Sequence, residues 1–347
     1  MNIPERMKHF NVPGVSVTYF TENKVSWSKH FGTLEKGTDK TVDENSIFHA
    51  CSISKMVTAL CVLKLVQDGI LHLHTDVNEY LSSWKVPENE FTATKKVTLA
   101  NLLAHQAGFY DCDGSFAPYQ QGDPIFKTVD ILNGTSKYHA GVVEPKYAPE
   151  TDCEYSDAGY CVISQILEDV LGEKIEKIAK RLIFDPLELK RTFFWEIGGA
   201  TDQISIAECA VGHDKKGEIV DEIRAFYPNV EGASLWTTSA ELALIVIEIV
   251  KAYHGVGLII NQEMAKLLLR SYGCGDGVGL GVFLEKDHDG TPYFISQGWG
   301  VGMQCKLRVY YENQSGIVVM TNSEPGIFQD QALVGEVIDY FCRLNEK

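Results

Sequence analysis

The chain has 347 residues and a mass of 38.6 kDa, which excludes a small disulfide-stapled scaffold and suits one large two-lobed unit or two domains. Hydrophobic residues make up 45% of it and charged residues 22%, a composition that excludes wholesale disorder. The 31 basic and 47 acidic residues give a formal net charge of −16, so we expect a protein that binds neither nucleic-acid phosphates nor anionic membrane surfaces.

The start of the chain and its cysteines favour a cytoplasmic protein. Residues 1–9 lack the basic segment and unbroken apolar run of a secretory signal. The most apolar window, Leu242 to Val250, is interrupted by Glu248 and falls short of the roughly 20 residues that span a bilayer. The nine cysteines are odd in number and form no Cys-x-x-Cys pair, which favours reduced thiols that are mostly buried.

The predicted elements begin and end with β-structure. Alternating apolar and β-branched residues from Val15 to Phe31, interrupted at 21–24, predict a hairpin. Gln304 to Tyr311 and Ile317 to Met320 predict a second pair of strands, and Ala332 to Leu344 predicts a terminal helix. Helices are predicted between these ends at Lys55 to Asp68, Thr98 to His105, Asp157 to Leu171, Lys174 to Leu182 and Ser239 to Ala252.

Sheet at both ends with helices between them predicts a discontinuous α/β lobe that clasps a helical lobe. We assign residues 1–70 and 240–347 approximately to the α/β lobe and 71–239 to the helical lobe, all within a single unit of 1–347. The stretch Gly108 to Pro124 is dense in Gly, Pro, Asp and aromatic residues. This composition predicts a long surface loop, which is either a plain connector or the wall of a site.

Ser52 and Lys55 lie where the first predicted helix begins. Residues three apart share a helix face, so Ser52 Oγ and Lys55 Nζ can meet, whereas Ser54 points away. A serine nucleophile needs a nearby base, and burial together with the helix dipole favours a lysine that has lost its proton. The same helix terminus favours an oxyanion on an attacked carbonyl, with the Ser52 N–H as one donor. The isolated motif also fits an N-capping serine and a surface lysine.

Tyr155, Ser156 and Asp157 precede another apolar helix. A phenol both donates and accepts hydrogen bonds, so Tyr155 can exchange a proton with Lys55 and deliver one to a leaving group. Asp157 can anchor Lys55. The alternative is that Tyr155 packs in a core and that Ser156 or Asp157 only caps the helix.

With these motifs the chain resembles the serine hydrolases related to class C β-lactamases, which include D,D-peptidases, D-aminopeptidases and esterases. The matching segments follow the family's order along the chain: Ser52-Ile-Ser-Lys55, Gly69 to Leu73, Val97 to Gly108, Tyr155-Ser-Asp157, Pro186-Leu187 and Val318 to Asn322.

The resemblance implies a penicillin-binding-protein-like α+β fold, in which an antiparallel sheet flanked by helices and a helical lobe enclose the active site. It also implies an acyl-enzyme mechanism with neither a metal nor an organic cofactor. Ser52 would be the nucleophile, Lys55 the base that assists it, and Tyr155 the partner in proton transfer. The substrate would be a small ester, an amide or a peptide containing D-amino acids.

Two motifs depart from the family pattern. Asp157 stands where the family has Asn, and an ionised carboxylate only accepts hydrogen bonds. Asp157 would therefore either strengthen the positive charge on Lys55 or be protonated itself. The family's third motif is Lys-Thr-Gly in the β-lactamases and His-x-Gly or a Trp-Gly variant in relatives, and its counterpart here, Ser296 to Gly302, carries neither Lys nor His. Without that cation, recognition of a β-lactam or peptide carboxylate should weaken.

Further substrate contacts are expected from two segments. The third motif should supply the second oxyanion donor, because glycine lets the backbone approach a ligand closely, and the candidates run from Trp299 to Val301. Tyr110 and other aromatic residues of the 108–124 loop are candidates for an apolar pocket wall, and Asp111 and Asp113 for binding a substrate ammonium. The substrate-binding residues assigned in these segments, together with Asp157, are Gln297, Gly298, Trp299, Gly300 and Tyr110.

Three alternatives stay open at this point. His72, His74 and Asp76 resemble part of a zinc-hydrolase motif, although Val77 follows where that motif has another His. Cys51, next to the proposed nucleophile, is either a packed thiol or a reactive one. The altered second and third motifs also fit a degenerate, β-lactamase-like module that binds a ligand or a partner without efficient turnover.

Overall fold

The computed structural model describes residues 1–197, 206–220 and 224–344. Its strands are β1 (Gly14–Thr21), β2 (Lys24–Gly32), β3 (Phe48–Cys51), β4 (Phe193–Phe194), β5 (Leu235–Thr237), β6 (Phe283–Lys286), β7 (Pro292–Gly300), β8 (Met303–Tyr310) and β9 (Ser315–Thr321). Its α-helices are α1 (Ile3–Phe10), α2 (Ser54–Gln67), α3 (Leu99–Leu103), α4 (Thr128–Leu132), α5 (Asp157–Leu171), α6 (Ile175–Ala179), α7 (Val230–Ala233), α8 (Ser239–Tyr253), α9 (Gln262–Leu268) and α10 (Leu333–Leu344).

Strands from the two ends of the chain join in one antiparallel sheet. The order is β2-β1-β9-β8-β7-β6, so the central β1–β9 pair connects the predicted N-terminal hairpin with the predicted C-terminal strands. Both strand pairs and the terminal helix are therefore confirmed. The proposed division into lobes near residues 70 and 240 stays a prediction.

Alternation along β1 separates the two covered faces of this sheet. Val15 and Val17 pack with α1 and α10 on one face. The side chains of Ser16 and Thr18 point the other way and hydrogen-bond to the hydroxyl of Ser239 at the start of α8, at 2.8 and 2.7 Å. A sheet covered on both faces is a rigid support for a site at its edge.

Helix α2 occupies the centre of the main core. Nearly all of its residues are buried, Lys55 included, and it packs against α6, α7 and α9. Because this helix is apolar on all sides, its lysine must find its partners inside the protein. Along the described ranges, none of the helices combines the length and apolar character that crossing a bilayer requires.

A second sheet, in the order β3-β5-β4, lies beneath the start of α2. Its strands have four, three and two residues, which is too short for an alternating pattern to be recognised in the sequence. The helix itself starts at Ser54, so Ser52 lies in the turn between β3 and α2 and not in the first helical turn that the sequence predicts.

Strand β7 of the large sheet lies directly against the end of β3. A Cβ atom on Gly298 would come within 2.3 Å of the carbonyl oxygen of Ala50 and 2.8 Å of Cys51 Cβ. A side chain at this position would therefore push the two strands apart. The close approach brings β7 to the turn that carries Ser52.

The substitution Gly298→Ala should lower the free energy of unfolding by about 1–3 kcal/mol, because overpacking displaces backbone that cannot move freely. Urea denaturation would measure it. Gly159→Ala is the matched control, since a Cβ there meets Leu102, Phe109 and Ser156 only at ordinary distances of 3.6–3.9 Å and alanine is preferred in a helix. Equal stability of the two variants would contradict the close approach of β3 and β7.

Candidate active site

The turn between β3 and α2 presents Ser52. Cys51 has a φ of 47°, which is uncommon for a residue with a side chain and turns the chain sharply at the end of β3. The hydroxyl of Ser54 donates to Cys51 O at 2.5 Å and accepts from Leu235 N at 2.9 Å. Ser54 thus connects the turn to β5, and Ser52 is the serine that faces Lys55.

Lys55 connects Ser52 to two other segments. Its Nζ donates to Ser52 Oγ at 3.3 Å, to Asp157 Oδ1 at 2.6 Å and to the carbonyl oxygen of Gly232 at 2.9 Å. The Lys55 side chain is only 4% exposed. Burial of a charge is costly unless it is paired and hydrogen-bonded, and this ammonium group has both kinds of partner.

The structure corrects the expected protonation of Lys55. Burial by itself would lower its pKa, but attraction to Asp157, with a further contribution from Tyr155, raises the pKa above the ordinary value of 10.5. The resting lysine is therefore an ammonium group. The expectation of a neutral amine considered burial and the helix dipole without the strength of the Asp157 contact.

Tyr155 lies over this ammonium group. Lys55 Nζ is 4.8 Å from the centre of the Tyr155 ring and 5.4 Å from that of Tyr160. Although the residue as a whole is 41% exposed, desolvation raises the pKa of the Tyr155 phenol; the charge of Lys55 and hydrogen bonds with Lys55 and Ser52 oppose that rise without cancelling it. Tyr155 is thus a neutral phenol in contact with both Ser52 and Lys55.

The N-terminus of α5 holds Asp157 in place. Asp111 accepts hydrogen bonds from Asp157 N at 2.5 Å, Ala158 N at 3.0 Å and the Ser156 hydroxyl at 3.0 Å. Because these contacts occupy Asp111 at the helix terminus, its role is structural, and the suggestion that it binds a substrate ammonium is not supported. Asp113 is exposed at the surface.

The segment around α7 contributes two contacts that no sequence motif indicates. Asn229 Nδ2 donates to Asp157 Oδ1 at 2.7 Å, and Gly232 supplies the carbonyl that binds Lys55. Asn229 is 1% exposed, so this bond forms away from water. Neither residue belongs to a motif that the sequence analysis recognised, and both contacts join residues far apart in the chain, so no local pattern identifies them.

A narrow cavity of about 20 Å³ lies beside Ser52, with room for about one water molecule. Its lining residues are Ser52, Lys55, His105, Tyr155, Gly281, Val282, Phe283, Ser296 and Gln297. Of the third-motif residues, Ser296 and Gln297 therefore reach the nucleophile. Ser296 is an additional site residue that the sequence analysis did not assign.

The remaining assigned residues of β7, Gly298, Trp299 and Gly300, are not among those that line the cavity. Gly298 packs on β3, and a Cβ on Gly300 would meet the Tyr227 hydroxyl at 2.8 Å. That hydroxyl accepts a hydrogen bond from Val301 N at 2.8 Å, which removes Val301 from the candidate oxyanion donors. Trp299 is 37% exposed and contacts Phe328 edge to face.

Tyr110 is 52% exposed and does not belong to the cavity lining. The structure therefore does not place it against Ser52, although Asp111 next to it supports α5. A side chain on an irregular loop has no fixed periodicity, so the sequence could not indicate which way Tyr110 points.

His105 packs against the ring of Tyr155. The two ring centres are 4.5 Å apart, and His105 Nδ1 accepts from Ser156 N at 3.2 Å. Burial, with a smaller contribution from the charge of Lys55, lowers the pKa of His105 to about 3. A neutral imidazole therefore supports both Tyr155 and the start of α5.

The other sequence candidates have local structural roles. Asp76 accepts a hydrogen bond from Asn78 N at 2.9 Å, and His74 stacks on Tyr272 with ring centres 6.2 Å apart. Cys51 is 2% exposed. Burial raises its pKa, but Cys305 and His49 outweigh this and lower it to about 5. A thiol so deeply packed is not open to an acyl donor.

Comparison with known proteins identifies the family. A family model described as beta-lactamase matches residues 2–338, so this chain belongs to the beta-lactamase family. The resemblance seen in the sequence and the expectation of a β-lactamase-related hydrolase are confirmed at the level of the family.

Curated relatives match about half of the chain. Penicillin-binding protein 4 of Amycolatopsis lactamdurans is 28% identical over 187 residues, which are 54% of this chain and 46% of that protein. The teichoic acid D-alanine hydrolase of Staphylococcus aureus is 27% identical over 183 residues, 52% of this chain and 41% of that one. The matched regions therefore span less than half the length of either relative.

Solved structures confirm the fold. The D-amino acid amidase from Ochrobactrum anthropi SV3 superposes with a TM-score of 0.77 at 19% identity, covering 99% of this chain and 98% of that one. At this identity the likeness shows the fold alone. The predicted penicillin-binding-protein-like architecture is thus confirmed.

Because His105 is buried and neutral, the free energy of unfolding should fall as the pH drops below 6.5. The unfolded chain then binds a proton that the folded chain does not, which costs about 2 kcal/mol at pH 5. His105→Asn should remove this part of the pH dependence. Asparagine suits the φ of 56° at this position, and its side-chain oxygen can accept from Ser156 N.

Urea denaturation of both proteins at a series of pH values would measure the difference between them. Taking the difference cancels the titration of all other groups. A difference that stays constant from pH 7 to about pH 5 would contradict the neutral, buried His105.

Proposed function

We propose that this protein is a serine hydrolase that forms an acyl-enzyme on Ser52 and cleaves ester, amide or D-amino-acid-containing peptide bonds. The observation that carries the proposal is the contact of Lys55 Nζ with Ser52 Oγ at 3.3 Å, inside a site that Tyr155 also enters. The named function of one curated relative, a teichoic acid D-alanine hydrolase, supports the substrate class.

In the proposed reaction Ser52 Oγ attacks the acyl carbon and releases its proton to a base. Tyr155 and Lys55 both contact Ser52, so either group accepts that proton once it has lost its own. The pair then returns a proton to the leaving group as its bond to the acyl carbon breaks. Water attacks the resulting ester with the same groups as base and acid. The N–H groups of Ser52 and of β7 are the candidate oxyanion donors.

Covalent labelling distinguishes this proposal from a binding module without turnover. A fluorophosphonate probe should add to Ser52, because phosphonylation requires an activated hydroxyl. Intact-protein mass spectrometry and peptide mapping would measure the adduct. Ser52→Ala should abolish both labelling and hydrolysis of p-nitrophenyl acetate.

Ser54→Ala is the matched control, since Ser54 bonds to Cys51 and Leu235 and faces away from Lys55. It should keep labelling on Ser52. Absence of an adduct with several probe classes would favour the binding module, whereas hydrolysis that survives Ser52→Ala and stops with a chelator would favour a metal hydrolase.

The pH dependence of activity follows from the two raised pKa values. Lys55 and Tyr155 both titrate above their ordinary values of 10.5 and 10.0, so the active, deprotonated form is scarce at neutral pH. We expect kcat/KM for p-nitrophenyl acetate to rise with pH, by up to about tenfold per pH unit between about pH 6 and 9.

Initial rates corrected for spontaneous hydrolysis would measure this profile. Tyr155→Phe should lower kcat by about 100-fold or more, because it removes one of the two proton carriers while keeping the ring over Lys55. A plateau in kcat/KM near pH 7 would show that a group other than these two is the base.

A further inference from the structure

Asp157 has a carboxylate oxygen that the described residues leave free. Its Oδ1 accepts from Lys55 at 2.6 Å and from Asn229 at 2.7 Å, while none of the described residues hydrogen-bonds to Oδ2. The side chain is 24% exposed, so this second oxygen meets solvent. Since Oδ1 is held from two directions, the carboxylate cannot turn without breaking both bonds.

Asp157 does not line the small cavity beside Ser52, but it is connected to the nucleophile through Lys55. Lys55 Nζ contacts both Ser52 Oγ and Asp157 Oδ1, so a single ammonium group separates the nucleophile from the carboxylate. In an amino-acid derivative the α-nitrogen is two bonds from the atom that Ser52 would attack. A substrate amine can therefore extend from that acyl carbon toward Asp157.

The surrounding charges favour a cation at this position. Asp111 lies directly behind Asp157 and is hydrogen-bonded to its N–H, so two carboxyl groups stand close to one ammonium group. Among the described residues that line the neighbouring cavity, Lys55 supplies the positive charge, and His105 is neutral. An ionised carboxylate accepts hydrogen bonds only, and a charged donor adds Coulomb attraction to the hydrogen bond that a neutral donor would form.

We propose that Asp157 Oδ2 binds the α-ammonium group of the substrate, so that the protein prefers amino-acyl groups with a free amine over the same acyl groups without one. This inference rests on the proposed hydrolase function and specifies its substrate class. An acylated amine, which carries no charge, should lose the preference.

A matched pair of substrates tests the inference. D-alanyl p-nitroanilide and propionyl p-nitroanilide differ only in the amino group, so the ratio of their kcat/KM values reports recognition of that group. Wild type should prefer the D-alanyl compound, and Asp157→Asn should lower the ratio by about tenfold, the loss expected for a charged hydrogen bond. Because any general effect on Lys55 changes both rates, it cancels in the ratio.

Glu154→Gln is the matched control. It removes an exposed carboxylate from the same segment and should leave the ratio unchanged. If the ratio of Asp157→Asn also equals that of wild type, the inference is wrong.

The pH dependence of the wild-type ratio gives an independent readout that does not need a variant to fold. Peptide α-amino groups lose their charge near a pKa of about 7.7–8.0, so the preference should decline as the pH rises through this range. A ratio that is constant with pH would overturn the inference.

The experiments distinguish failure of the hydrolase proposal from failure of the ammonium-binding proposal. If Ser52→Ala hydrolyses both anilides as well as wild type does, the hydrolase proposal is wrong. If Ser52→Ala is inactive and the ratio responds neither to Asp157→Asn nor to pH, the hydrolase stands and the ammonium contact does not.

Discussion

The buried ammonium group of Lys55 is the interaction on which the site depends. It joins Ser52 after β3, Asp157 at the start of α5 and Gly232 in α7, three segments that are distant in the sequence. A lysine on a helix that is apolar on all sides is tolerated only with such partners, because an unpaired charge in a protein interior costs several kcal/mol. The fold therefore fixes the position of the base by satisfying its charge.

The ion pair that stabilises the buried Lys55 also limits its reactivity as a base. The contact with Asp157 that makes burial of Lys55 possible also holds the proton on it, whereas attack by Ser52 requires a group that has released one. An asparagine would support the lysine less and hold its proton less tightly. The carboxylate thus lowers reactivity at neutral pH and places negative charge near the nucleophile. That negative charge is useful if the substrates carry an amine.

Second-layer contacts keep this arrangement fixed. Asp111 and Asn229 hold Asp157 from two sides, and His105 supports both Tyr155 and the backbone of Ser156. On the opposite side, Gly298 lets β7 approach the end of β3. Most of these residues do not face the cavity, yet they determine where Ser52, Lys55 and Tyr155 lie.

Much of the fold could be predicted from periodicity. The hairpin β1–β2, the strands β8 and β9 and helices α5, α8 and α10 are long enough for their alternation or helical spacing to be clear. The strands of the small sheet were missed because they have two to four residues. Their pairing depends on contacts between distant parts of the chain.

The candidate site could likewise be predicted only in part. Spacing alone indicated Ser52 with Lys55, and a short motif indicated Tyr155 with Asp157. Asn229 and Gly232 could not be predicted, because tertiary packing alone brings them to Asp157 and Lys55. Ser296 lies in the third motif, but the sequence did not indicate which residues of that motif reach Ser52. The sequence also led to opposite expectations for the charge of Lys55, because the balance between burial and a carboxylate at 2.6 Å depends on that distance.

Direct titration of Lys55 tests whether Asp157 holds the proton on the buried lysine. In protein labelled with ¹³C at lysine Cε, the Lys55 resonance can be assigned by comparison with Lys55→Arg and followed with pH by nuclear magnetic resonance. The account predicts a lysine that stays charged beyond pH 10.5 in the wild type and loses its proton at lower pH in Asp157→Asn. A wild-type Lys55 that titrates near neutral pH, or one that Asp157→Asn leaves unchanged, would contradict it.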